Sequence, residues 1–156
     1  MMLRPVLGGF AIVLVCGTTA WAAEFDAKAA HQPFMEAFNA RDWEGVKSSL
    51  AQDAVFHRAN AEEVYVGPDA IVGRFSDTIG NPDQWNVKFA SLESEDQITG
   101  EDGRVVERGD FAITAGGDDG ECYAGSYMAT WAPSADEWKL QVFAWQDVKV
   151  DMSECN

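Results

Sequence analysis

The sequence predicts an α+β domain in which three helices come first and a curved antiparallel sheet follows. Two observations carry this. Up to Gly80, two short extended runs apart, apolar residues recur every three or four positions. From Trp85 onward they alternate with polar ones, so the period changes once from helical to extended. A chain of 156 residues fits one domain, and no repeat, low-complexity run or long linker divides it.

The elements follow in order. Ala27, Ala30, Phe34, Ala37, Phe38 and Arg41 fall at helical spacing and give the first helix, over 25–41, one apolar side; Pro33 starts or kinks it. Asp42 is a good N-cap for a second helix, whose Trp43, Val46 and Leu50 share a face. Asp53–Arg58 then alternates as a strand, with Ala54 and Phe56 on one side and Val55 and His57 on the other. Val64–Val66 is a short return strand. Gly67-Pro68-Asp69 opens a third helix with proline in its first turn, Ile71, Phe75 and Ile79 form its stripe, and Gly80 ends it. Trp85, Val87 and Phe89 alternate as a half-buried strand, and Asp102-Gly103 marks a hairpin turn. Val105–Ala115 follows, with Val105, Phe111 and Ile113 on one face and Arg108, Asp110 and Thr114 on the other. Past the turn at Gly116–Gly120, Glu121–Ala132 places Tyr123, Tyr127 and Trp131 together, and in the last strand, Glu137–Val148, Phe143 and Trp145 share a side. A four-strand meander of this length must twist and curl, leaving a hollow under the helices.

Residues 1–22 read as a signal peptide that precedes the domain at 23–156. Arg4 is the positive start, LGGFAIVLVCG the apolar run, and Ala20-Trp21-Ala22 the small-x-small cleavage pattern. The run is shorter than the roughly 18 to 20 residues that span a bilayer, so stable membrane insertion after cleavage is not expected; the alternative is an uncleaved membrane anchor. Cys16 follows Val15, where a lipoprotein signal has a small residue. The expected location is exported, periplasmic or secreted. The net charge of −15 excludes nucleic acid and anionic lipid as partners and favours solubility. Of three cysteines, Cys122 and Cys155 follow the signal, and an oxidising compartment makes a disulfide between them plausible. The alternative is a reactive thiol.

Four words in this order resemble the SnoaL-like/DUF4440 branch of the NTF2-like superfamily. They are Ala37-Phe38-Asn39-Ala40-Arg41-Asp42-Trp43, Leu50-Ala51-Gln52-Asp53-Ala54-Val55-Phe56, Gly67-Pro68-Asp69-Ala70-Ile71 with Phe75, and Trp138-Lys139-Leu140. The resemblance covers about residues 27 to 148. It implies an NTF2-like (cystatin-like) cone of curved sheet and three helices, an apolar pocket with a mouth, and a homodimer through the outer sheet face. Members include isomerases, cyclases, dehydratases and lyases, and many that only bind. Against ketosteroid isomerase the chain departs where chemistry needs it: the first-helix tyrosine corresponds to Phe34, and the base aspartate falls at Arg58. Tyr127 alone, near the second donor's position, keeps a hydroxyl.

The candidate chemistry is therefore thin. His57, on the strand that closes the pocket in such folds, is a candidate general base with Glu62 or Glu63 to orient it; the alternative is a surface histidine. His31, before Pro33, reads as solvent exposed. Tyr65, Tyr123 and Tyr127 are candidate donors to a ligand oxygen, or core tyrosines satisfied locally. Phe34, Phe38, Trp85, Trp131, Phe143 and Trp145 are candidate pocket walls, or ordinary core, in a chain with six tryptophans. Arg108 and Asp110 form either a polar pair in the cone or, since Phe111 and Ile113 claim the core side, a salt bridge outside. Asp118, Asp119 and Glu121 lack the order of a calcium loop, and no zinc spacing, phosphate loop or GxSxG elbow occurs, so neither metal nor cofactor is expected. The expected function is binding of a small, mostly apolar or aromatic molecule. The alternatives are an isomerase, lyase or hydrolase using His57 and Tyr127, and a structural or interaction module with a filled interior.

Overall fold

A computed structural model describes residues 24–80, 86–116, 120–135 and 137–155. The expected signal segment 1–22, Trp85, Asp118 and Asp119 lie outside the described residues. Helix α1 (Ala27–Ala40) is capped by Asp26, whose carboxylate accepts from the Ala29 amide, and it runs through Pro33. Arg41 ends it in the left-handed conformation, and Asp42 caps α2 (Trp43–Ser48) through the Gly45 amide. Strand β1 (Leu50–Arg58) begins three residues before the expected Asp53, because Leu50 pairs with Leu140 of the last strand. A 3-10 turn leads to β2 (Glu63–Val66), and α3 (Pro68–Ile79) opens on Gly67, whose φ of 85° suits glycine.

The remaining strands are β3 (Lys88–Thr99), β4 (Val105–Ala115), β5 (Glu121–Ser134) and β6 (Glu137–Val150). They form the expected meander, and the six strands lie in the order β2-β1-β6-β5-β4-β3. One joint departs from an all-antiparallel sheet: β1 runs parallel to β6. Of the expected strand at 85–89, Trp85 lies outside the described residues, Asn86 and Val87 precede the strand, and Lys88 and Phe89 begin a far longer one. Its second half, Leu92–Thr99, pairs on one side only and carries exposed residues on both faces, so it lacks the alternation that would announce it.

Helices α1 and α3 close over the concave face and bury Phe34, Phe38, Ile71 and Ile79 against Phe56, Phe111, Leu140 and Phe143. The convex face is left open across most of its width. There Cys122 bonds Cys155, which fastens a short C-terminal turn (Met152–Cys155) beside β5. Closing a loop with a sequence separation of 33 contributes about 4 kcal/mol in the chain-entropy account. Among the described residues no helix is long and apolar enough to cross a membrane.

Candidate functional site

Under the helices the sheet leaves a cavity of about 340 Å³. Its wall is aromatic because inward positions on six elements carry phenylalanine rings: Phe34 and Phe38 on α1, Phe56 on β1, Phe75 on α3, Phe89 on β3, Phe111 on β4 and Phe143 on β6. These rings meet mostly edge to face, as between Phe38 and Phe75 at 5.2 Å and 86°. Tyr65, Tyr123 and Trp145 carry the wall toward the mouth.

The rim is polar. Arg58 lies two residues beyond Phe56 on the same face of β1, and Asp147 two beyond Trp145 on β6. The guanidinium donates from Nε at 3.0 Å and from Nη2 at 2.9 Å to the two Asp147 oxygens. That fork raises the Arg58 pKa further above its ordinary value. Across the mouth, Arg74 of α3 donates to Tyr65 Oη at 2.6 Å and to Glu63 at 3.2 Å. The Tyr123 hydroxyl donates to Glu121 at 2.6 Å, which pushes the phenol upward, while Lys149 and then Tyr123 hold Glu121 below the usual carboxylate range.

A second polar cluster sits apart from the cavity wall. His31, expected in solvent, is buried and paired with the buried Glu107. The stripe through Ala27 and Phe34 already places it inward, four residues after the one and three before the other. Glu107 points inward from β4 opposite Ala129, whose small side chain leaves it room, and the His31 ring lies 5.9 Å from that of Tyr127 and 5.5 Å from that of Trp131. Tyr127 Oη, Trp131 Nε1 and Glu107 Oε2 are buried with no hydrogen-bond partner among the described residues. Burial, and then the nearby Glu107 charge, push the Tyr127 phenol far above its ordinary range. Glu107 is close enough for that charge to act, although the hydroxyl does not reach it in bonding geometry.

Of the candidate site residues, Phe34, Phe38, Tyr65, Tyr123, Phe143 and Trp145 line the cavity. His57, Tyr127 and Trp131 do not. His57 alternates with Phe56 and Arg58, both of which face the cavity, so it lies on the convex side of β1, between Val64 and Ala144. Its expected orienting partner Glu63 is taken by Arg74. Tyr127 stacks on Phe143 at 5.3 Å, and Trp131 packs on Phe25 at 5.9 Å, in the filled part of the interior. Arg108 is on the outer face as favoured, but its partners are Asp96 at 2.6 Å and Glu95 at 3.6 Å, from the neighbouring strand. Arg58, Asp147, Glu63 and Arg74 escaped sequence reasoning as a site. Period two from Phe56 and from Trp145 places Arg58 and Asp147 each on an inward face, though not beside one another. No group of three or more His, Cys, Asp or Glu capable of holding a metal occurs among the described residues.

A curved, unclosed sheet with three helices over its concave face and an apolar cavity between them defines an NTF2-like cone. Within that class, the SnoaL-like domain family matches residues 31–139, and the chain belongs to it. Similar solved structures include ActVI-ORFA from Streptomyces coelicolor, at 12% identity over 78% of this chain and 92% of that one, with a TM-score of 0.65. A conserved protein from Planctomyces limnophilus shares 19% identity over 79% and 94%, with a TM-score of 0.66. An NTF2-like protein of unknown function from Shewanella oneidensis shares 11% over 77% and 95%, with a TM-score of 0.58. At these identities the likeness is one of fold. No curated protein matches the chain.

Proposed function

We propose that this SnoaL-like domain is exported and binds one small, mostly apolar or aromatic molecule in its cone, as a homodimer. The observation that carries the binding reading is the cavity itself. About 340 Å³ walled by rings, with polar groups gathered at the rim, has the size and lining of a small-molecule site. That volume weighs against a module whose interior is filled by its own side chains. The enzyme reading loses support because neither His57 nor Tyr127, the groups expected to move protons, lines the cavity. The export reading is supported by the leader sequence and by a disulfide in the fold.

Native mass spectrometry of the protein, purified without denaturation from the envelope of its own host, tests these points together. The expected spectrum shows a dimer lacking residues 1–22, two hydrogens fewer per chain for the disulfide, and a stoichiometric small-molecule adduct. A chain with its leader intact sinks the export reading. An adduct-free mass, joined by failure of naphthalene-sized probes to bind, sinks the binding reading.

A further inference from the structure

The rim carries more chemical information than the apolar wall, and the following inference rests on the binding reading above. Four charged groups face the mouth: Arg58, Arg74, Glu63 and Asp147. They are paired two by two, so the rim is close to neutral in a chain of net charge −15. What differs between them is the hydrogen-bonding capacity left over.

Asp147 accepts from Arg58 on both oxygens, and its side chain is only 4% exposed. Both Glu63 oxygens face Arg74 Nη2. Every nitrogen of Arg74 is engaged, Nε on Tyr65, Nη2 on Glu63 and Nη1 on Thr78. Arg58 is not. Its Nε and Nη2 are committed to Asp147, while Nη1, with two N–H groups, has no partner among the described residues. The Tyr65 hydroxyl accepts from Arg74 and donates to no described residue, so its proton is also unspent. These donors are neighbours. Tyr65 stands opposite Phe56 and Arg58 opposite Glu63, which makes Tyr65 and Arg58 diagonal partners on one face of the β1–β2 hairpin. Each carboxylate already holds a cation, whereas the two donors hold nothing, and an unmatched donor is the costlier state once a ligand has excluded water.

We propose that the molecule held in the cone is a flat apolar compound that ends in an acceptor oxygen, a carboxylate or a conjugated carbonyl, gripped at the rim by Arg58 Nη1 and Tyr65 Oη. The ring system lies among Phe34, Phe56 and Phe143, and the oxygen reaches the mouth. The net charge of −15 opposes an anion and favours a cation at long range, so the preference arises from these two short-range donors.

Three probes with one ring system test it: 2-naphthoate, 2-acetonaphthone and 2-naphthylmethylamine, titrated by quenching of tryptophan fluorescence, since Trp145 lines the cavity. Naphthoate and acetonaphthone are expected to bind about tenfold more tightly than the amine, the worth of one good hydrogen bond. Tyr65→Phe and Arg58→Lys, the second keeping a cation beside Asp147, are expected to bring that ratio down toward one. An amine that binds as tightly as naphthoate, or a ratio that survives both substitutions, overturns the proposal while leaving the pocket reading intact. Failure of all three probes to bind overturns both.

Discussion

At the scale of single residues, the His31–Glu107 pair is sealed where water cannot solvate either partner. Removing one leaves the other stranded, at about 3–5 kcal/mol, whereas replacing both by apolar groups is often close to neutral. His31→Leu and Glu107→Leu are therefore each expected to destabilise by that amount, and the double variant to recover most of the loss in urea titrations. Additive losses in the double variant would mean that the two side chains are not coupled. Tyr127 yields a pH prediction of definite sign. Its folded phenol is raised above the unfolded value, so the unfolded chain releases the proton first. The resulting stability is fully present below about pH 10 and is lost as pH rises beyond it. Tyr127→Phe is expected to flatten the fall in melting temperature between about pH 9.5 and 11. A fall as steep as the wild type's would assign the alkaline sensitivity to other groups, with Tyr123, whose phenol is also pushed upward, next to test.

At the scale of elements, what the sequence made legible was which face a residue takes, and what it hid was depth along that face. The stripes of α1 and α3 and the alternation of β4 to β6 are written in runs of Phe, Ile and Trp, so those elements and their inward faces could be read directly. Tyr123, Tyr127 and Trp131 share a face of β5, yet only Tyr123 reaches the cavity, because the sheet's curvature and the pairing of α1 with Glu107 decide where the interior is full. Arg58 and Asp147 were illegible as a pair, since 89 residues separate them and only the parallel joint of β1 and β6 brings them together. The convex face gives its own prediction. Val66, Val55, Val142, Thr130, Val106 and Ile98 stand side by side in register across all six strands. Val66, Val106 and Ile98 are openly exposed, at 65%, 41% and 74%. Such a row needs cover. If the proposed homodimer forms there, Val142→Lys is expected to give a monomer in sedimentation with its cavity intact. A variant that remains dimeric would place the contact elsewhere.

At the scale of the whole molecule, the cone is a compromise between a core that is packed and one that is left open. Gly109 lets strand and ring come close: a Cβ there would collide with the Glu93 carbonyl oxygen and meet the Tyr127 ring at 2.9 Å. The closed end is thereby filled, and the open volume is confined to the end where α3, β2 and the rim charges meet. If that volume is available to a ligand, it is available equally to a larger side chain. Ile113 lines it from β4, opposite Tyr123 and Phe89, and Ile113→Trp points additional ring surface into it. In a core already at full density, such an insertion costs about 1–3 kcal/mol through displaced side chains. In an open cavity the added contacts offset much of that cost. The expected outcome is stability within about 1 kcal/mol of the wild type by urea titration, together with loss of 2-naphthoate binding. Loss of binding with a large fall in stability would mean that the interior closes on itself in solution. Retained binding with unchanged stability would place the naphthoate outside the cone.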